Sequence, residues 1–155
     1  MTPAFTDFDR DMMRLAIAEA RLAPEHGDLP VGAVIARRGE VVSSAHNTRE
    51  RDRDPLGHAE INAIRQASRR LNAWRLTDCV LYVTLEPCCM CAGAIVQSRI
   101  RRVVFGAWDR QGGCAGSVYR VTEDPALMNY TPADGGLLAD ECEALLKDVM
   151  KSIRN

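Results

Sequence analysis

The chain has 155 residues, with 20 Lys and Arg against 21 Asp and Glu and a formal net charge of −1. That length suits one domain over residues 1–155 with a substantial core, and a charged fraction of 26% excludes wholesale disorder. Near neutrality excludes nucleic-acid binding through bulk positive charge, but not through a local basic patch.

Met1–Asp7 lacks a basic segment leading into an apolar run, so no secretory signal is expected. No stretch reaches the roughly 18 apolar residues of a membrane span. The expected location is the cytoplasm. The six cysteines, Cys79, Cys88, Cys89, Cys91, Cys114 and Cys142, are therefore read as thiols or metal ligands before disulfides.

In chain order, residues 9–23 read as a helix, because Met12, Met13, Ala16, Ile17 and Ala20 recur at three- and four-residue spacing. Pro24 and Gly27 break that pattern. Val31–Ala36 and Glu40–Ala45 flank Arg38-Gly39 as a hairpin. Residues 46–57 are polar and read as a loop. A second helix is expected from about His58 to Arg70, with Ile61, Ile64, Ala67 and Leu71 on its apolar face. Cys79–Leu85 reads as a buried strand, Cys88–Gln97 as a helix opened by Pro87, and Arg102–Ala107 as another strand. Residues 108–136 read as irregular. A last helix starts near Asp140, with Cys142, Leu145, Leu146 and Val149 inward. Strands alternating with helices indicate a layered α/β fold.

Two segments carry the chemistry. His58-Ala59-Glu60 and Pro87-Cys88-Cys89-Met90-Cys91 supply one imidazole and a Cys-x2-Cys pair. Together, His58, Cys88 and Cys91 make a three-ligand zinc set that leaves a fourth position for water, as catalytic zinc sites do. A helix N-terminus favours thiolate over thiol, which suits cysteines placed at the start of a helix. Two thiolates cancel the metal's charge, so a nearby base is needed, and Glu60 is placed to supply it. Residues two apart on a regular helix diverge, so His58 and Glu60 converge only if His58 sits at the helix entrance. Alone, Cys-x2-Cys also fits a structural zinc half-site or a redox pair, and His-x-Glu means little. The two segments in combination are far more specific.

His-x-Glu followed by Pro-Cys-x-x-Cys resembles the signature of the zinc-dependent nucleobase deaminases. Leu29-Pro30-Val31-Gly32-Ala33-Val34, Asn47, Asp54-Pro55, Thr84-Leu85-Glu86-Pro87-Cys88, Met90-Cys91-Ala92-Gly93-Ala94, Val103-Val104-Phe105-Gly106-Ala107 and Leu138-Ala139-Asp140-Glu141-Cys142 extend the similarity. They resemble the bacterial tRNA-specific adenosine deaminases of that family, over residues 10 to 150. The resemblance implies a three-layer α/β/α cytidine-deaminase-like domain, with a central mixed sheet of about five strands flanked by helices. It implies a homodimer with one zinc ion per subunit that converts the wobble adenosine of a tRNA anticodon stem-loop to inosine. Zinc on His58, Cys88 and Cys91 would activate a water, and Glu60 would shuttle its proton to N1 and the leaving amine. The Ala59 N–H would steady the attacking oxygen. Asn47 would hydrogen-bond the flipped nucleoside, and Val31 and Leu85 would flank it.

Other readings of these residues stand beside that one. Asn47 also fits a capping or turning role, Val31 and Leu85 fit the core, and Trp74 and Trp108 fit either packing or stacking. Arg65, Arg69, Arg70 and Arg75, with Arg99, Arg101 and Arg102, are the local basic clusters from which a phosphate-binding surface could be built. Three stretches depart from the family pattern: Leu56-Gly57, the less basic Met128–Gly136 loop, and the tail Lys147–Asn155 without an aromatic residue. These bear on substrate rather than on metal. The alternatives are a deaminase of a free nucleobase of guanine or cytosine type, and a non-catalytic zinc domain that binds RNA or a partner.

Overall fold

The computed structural model describes residues 3–154, with side chains through Val149. The polypeptide runs α1 (Asp7–Ala20), β1 (Gly32–Arg37), β2 (Glu40–His46), α2 (Arg49–Asp52), α3 (Ala59–Leu71), β3 (Cys79–Leu85), α4 (Cys89–Gln97), β4 (Arg102–Ala107), β5 (Ala133–Gly135) and α5 (Ala139–Arg154). The side chains of residues 150–155, in the tail singled out above, lie outside the described residues.

The five strands form one mixed sheet in the order β2-β1-β3-β4-β5. β1 runs antiparallel to both β2 and β3, while β3–β4 and β4–β5 are parallel. Both faces are covered, giving three layers. Alternate residues of each strand point to opposite faces. Ala33, Ile35, Leu81, Val83, Val103 and Phe105 pack beneath Ala59, Ala63 and Ala67 of α3 and Ile95 of α4. Val34, Ala36, Tyr82 and Val104 pack against Met12, Met13, Ala16 and Ile17 of α1 and Cys142 of α5. Burial on both faces makes β1, β3 and β4 read as continuous apolar runs rather than alternating ones.

Local chemistry sets the boundaries. α1 starts at Asp7, two residues earlier than expected, because Thr6 and Asp9 form a reciprocal capping box. It ends at Ala20, where a 3-10 turn over Ala23–His26 carries Pro24 and closes on Gly27 with φ 84°. Arg38 and Gly39 both have positive φ, 51° and 78°, as a tight hairpin between β1 and β2 requires. Gly32 lets α1 lie directly on β1: a Cβ there would stand 2.0 Å from the Ala16 carbonyl oxygen.

Two elements were not expected. Arg49–Asp52, read as loop, forms a helical turn because buried Asp28 accepts from the N–H groups of Glu50 and Arg51 at 2.8 and 3.1 Å. Ala133–Gly135, within the irregular stretch, pairs with Val103–Phe105 as β5. On α3 the buried stripe runs through Ala59, Ala63 and Ala67, with Ile64 and Leu71 packed against it. Ile61 is only half-buried and lies off that stripe.

Candidate active site

The site forms where β3 ends and α4 begins, opposite the entrance of α3. Leu85 and Glu86 leave the sheet, Pro87 turns the chain, and Cys88 caps α4 in extended conformation, φ −73° and ψ 177°. The capping position swings its thiol off the helix face, so Cys88 and Cys91, one turn apart, converge. His58 is likewise the cap of α3, with φ −86° and ψ 151°. That is the entrance geometry which lets His58 and Glu60 share a site.

The loop before His58 is tightly held. The Thr48 N–H donates to the Gly57 carbonyl at 2.8 Å. The Asn62 side-chain amide donates to the His46 carbonyl at 3.0 Å and to the Thr48 hydroxyl at 2.9 Å. Gly57 answers a close approach rather than an unusual φ, since a Cβ there would lie 2.9 Å from the Arg49 backbone nitrogen. Leu56-Gly57, the first departure from the family pattern, thus fits a loop packed directly onto α2.

His58 Nδ1 lies 3.6 Å from Cys88 Sγ and 3.5 Å from Cys91 Sγ. Among the described residues, these three form the one cluster of His, Cys, Asp or Glu donors close enough to hold a metal ion, their atoms all within 4.8 Å of one another. Zinc–nitrogen and zinc–sulfur bonds of about 2.1 and 2.3 Å at the tetrahedral angle place the donor atoms about 3.6 Å apart. The donor set and its spacing therefore fit zinc.

The electrostatics agree. The hydrogen bond from the Cys91 thiol, followed by that from His58, pulls Cys88 down to about 4. The same bond to Cys88, with burial, holds Cys91 up. The Cys88 contact raises His58. Two thiols sharing a proton beside an imidazole are a donor set from which a divalent cation releases protons on binding. Glu60, 4% exposed, faces the cluster from the first turn of α3. Burial pushes its carboxyl up to about 7, the range suited to giving and taking protons at neutral pH.

A cavity of about 410 Å³ opens over these groups, lined by Leu29, Val31, Asn47, His58, Glu60, Leu85, Glu86, Cys88 and Asp109 among others. Val31 belongs to both the core and the cavity wall, and so does Leu85. Asn47 does cap a helix: its Oδ1 accepts from the Ala59 N–H at 2.8 Å. The Ala59 N–H, expected to steady the attacking oxygen, donates here to Asn47.

Sequence reasoning gave Glu86 no role. It is 2% exposed. Its Oε1 accepts from the Asp109 N–H at 3.0 Å and from the Ser117 hydroxyl. Its Oε2 accepts from the N–H groups of Ala115 and Ser117 at 3.1 and 2.9 Å. One carboxylate thus ties the residue before Pro87 to the loop after β4, whose Asp109 lines the cavity. Gly113 makes room for it, as a Cβ there would come within 2.4 Å of both carboxylate oxygens. A buried-type position for a charged residue beside Pro-Cys was the available signal.

The remaining expectations divide. Trp108 packs edge-on against Phe105, with centroids 4.7 Å apart, so it is a packing residue. Arg102 leaves the basic cluster, because it bridges Asp9 at 3.2 Å and Asp134 at 3.0 Å. Arg65 lies 3.7 Å from Asp54. Cys79 and Cys142 are buried outside the donor triangle, Cys114 is buried beside it with its N–H donating to the Pro87 carbonyl at 2.8 Å, and Cys89 is exposed.

Comparison with known proteins follows the same lines. Residues 6–107 match the cytidine and deoxycytidylate deaminase zinc-binding region. The tRNA-specific adenosine deaminase of Bacillus subtilis is 42% identical over 94% of this chain and 91% of its own length. That of Aquifex aeolicus is 44% identical over 92% of this chain and 94% of its own. A solved structure from work on A-to-I editing by tRNA:A34 deaminases superposes with a TM-score of 0.85 at 40% identity, covering 88% of this chain and 99% of that one. With zinc-type donors in place and the family region matched across both motifs, the chain belongs to the zinc-binding cytidine and deoxycytidylate deaminase family.

Proposed function

We propose that this protein is a tRNA adenosine deaminase that converts the wobble adenosine of an anticodon stem-loop to inosine and releases ammonia. The observation that carries the chemistry is the triangle of His58, Cys88 and Cys91 with buried Glu60 beside it at the foot of one cavity. The substrate assignment is supported by the relatives' 42% and 44% identity along almost the whole chain.

Zinc, if held by His58, Cys88 and Cys91, would supply a lowered pKa for the attacking water. Glu60 is placed to take the two protons of that water in turn, handing the first to N1 as oxygen adds to C6 and the second to the departing amine. Protonating N1 in step with attack avoids building an anion on the ring. Asn47, its Oδ1 engaged by Ala59, offers its Nδ2 donor to the nucleoside. Val31 and Leu85 give the base apolar surfaces to rest on. The reading includes a cytoplasmic homodimer with one zinc ion per subunit.

The test is a zinc-loaded protein given an anticodon stem-loop with adenosine at the wobble position, beside guanine and cytosine. Inosine should form in the RNA, and Glu60→Gln should lower its rate about 10²- to 10⁴-fold while zinc stays bound. Turnover of guanine or cytosine in place of the RNA would replace this reading with the free-base alternative.

A further inference from the structure

At the end of the sheet opposite the cavity, Trp74 stands 56% exposed in the connection from α3 to β3. The Arg75 guanidinium lies 4.4 Å from its ring centroid, and that of Arg99, from the connection after α4, lies 5.6 Å away. Backbone bonds lace the two connections together: the Leu76 N–H donates to the Ser98 carbonyl at 2.7 Å, and the Arg101 N–H to the Cys79 carbonyl at 3.0 Å. Arg99 and Arg101 then border a shallow cavity of about 360 Å³ whose other side carries Tyr130. Tyr130 is 66% exposed.

Three cationic side chains gather here. Among the described residues Arg75, Arg99 and Arg101 have no carboxylate partner; the same holds for Arg21, Arg37, Arg53, Arg69, Arg70 and Arg110, but these three cluster around Trp74 and the cavity that carries Tyr130. In a chain of net charge −1 this is a local cationic excess, interleaved with two exposed aromatic rings. An indole and a phenol offer faces for bases, and unpaired guanidiniums offer positions for phosphates. A protein partner would need carboxylates to meet the arginines and an apolar surface to cover the rings, whereas one RNA strand supplies both complements.

We propose that Trp74, Arg75, Arg99, Arg101 and Tyr130 form a second RNA-docking surface, which holds the substrate away from the nucleotide in the cavity. This rests on the tRNA reading above. Six residue steps along β3 at about 3.3 Å each put the surface roughly 20 Å from the cavity. A strand of six or seven nucleotides spans that distance at about 3.4 Å per phosphate. The surface would add affinity and orientation, and would take no part in the chemistry. It also relocates the basic contribution that the Met128–Gly136 loop lacks, since Arg99 and Arg101 stand beside that loop.

The test measures binding of tRNA to the zinc-loaded protein across a salt series, together with kcat and KM. R99Q/R101Q should raise Kd and KM, leave kcat at saturating RNA unchanged, and reduce the slope of log affinity against log salt by about 0.7–0.9 per arginine removed. W74A should raise Kd about 5- to 100-fold with the salt slope unchanged, as loss of one stacked base would. Wild-type Kd and slope in both variants would overturn the proposal. So would a W74A variant that binds RNA normally but changes from dimer to monomer, which would make this a subunit contact. Binding is read without turnover, so a wild-type protein that forms no inosine counts against the deamination reading, while the slope still decides the surface.

Discussion

Glu86→Ala tests how the cavity wall is held. In the folded protein four donors converge on this carboxylate, two on each oxygen. Asp109 and Ser117 are partly exposed and can turn to water when the carboxylate is removed, but Ala115 is 3% exposed and cannot. One stranded buried donor costs about 1–3 kcal/mol, and loss of a hydrogen bond to a charged group adds about 1.5–3 kcal/mol. The sum, about 2.5–6 kcal/mol, corresponds to a fall in Tm of about 5–24 °C at this chain length. Glu86→Gln should recover only part of this. Each carboxylate oxygen faces two donors, so wherever the amide nitrogen lands it meets at least one backbone N–H, and only the Ser117 hydroxyl can turn to accept from it. Differential scanning calorimetry gives the stability, and hydrogen exchange at Asp109, Ala115 and Ser117 locates the damage. A Glu86→Gln protein with Tm within about 2 °C of wild type and unchanged exchange at those amides would refute this account of the wall.

Other expectations follow from single contacts. Cys91→Ser should abolish zinc retention and lower Tm, because metal binding contributes to folding, while Cys89→Ser, exposed and outside the donor triangle, should keep its metal; elemental analysis reads both. Gly32→Ala sets a Cβ 2.0 Å from the Ala16 carbonyl and 2.6 Å from the Ala20 nitrogen, both backbone atoms, and should cost about 3 kcal/mol or more in urea unfolding. Asp9 gives a pH signature. Burial pushes its pKa up, but the Tyr82 hydroxyl, the Thr6 N–H and Arg102 outweigh it and leave the folded value below the usual carboxylate range. Its stabilisation is therefore present above the unfolded value near pH 4 and is lost as pH falls below it through the folded one. Asp9→Asn should flatten that acid limb of the urea midpoint profile, and an unchanged limb would count against the network.

What was legible in the sequence follows from how local each cause is. β3 and β4 were readable to the residue because burial on both faces leaves unbroken apolar runs bounded by polar residues. The donor triangle was readable because two short motifs carry all three ligands and each motif opens a helix. β5 was not, because Ala133-Asp134-Gly135 has no strand character of its own and is held by pairing with Val103–Phe105. α2 was hidden for a similar reason: its cap, Asp28, lies in the loop before β1. The contact between the Ala59 N–H and Asn47, twelve residues earlier, is one that no helix rule anticipates. Glu86 was given no role of its own. Its burial is created by residues 109–117 folding back over it, and a window around Glu86 contains none of those donors. Arg102 looked like surface charge for the same reason, since Asp9 and Asp134 reach it from distant parts of the chain.

The central claim is that Glu60 moves protons for a zinc-dependent attack on adenosine held in RNA. It is tested most directly by a single-turnover measurement of inosine in a wobble-adenosine stem-loop, with wild-type and Glu60→Gln proteins of equal zinc content. Inosine should form with the wild type, and its rate should fall about 10²- to 10⁴-fold in the variant. Equal rates in the two zinc-loaded proteins, or no inosine alongside turnover of guanine or cytosine, would contradict it.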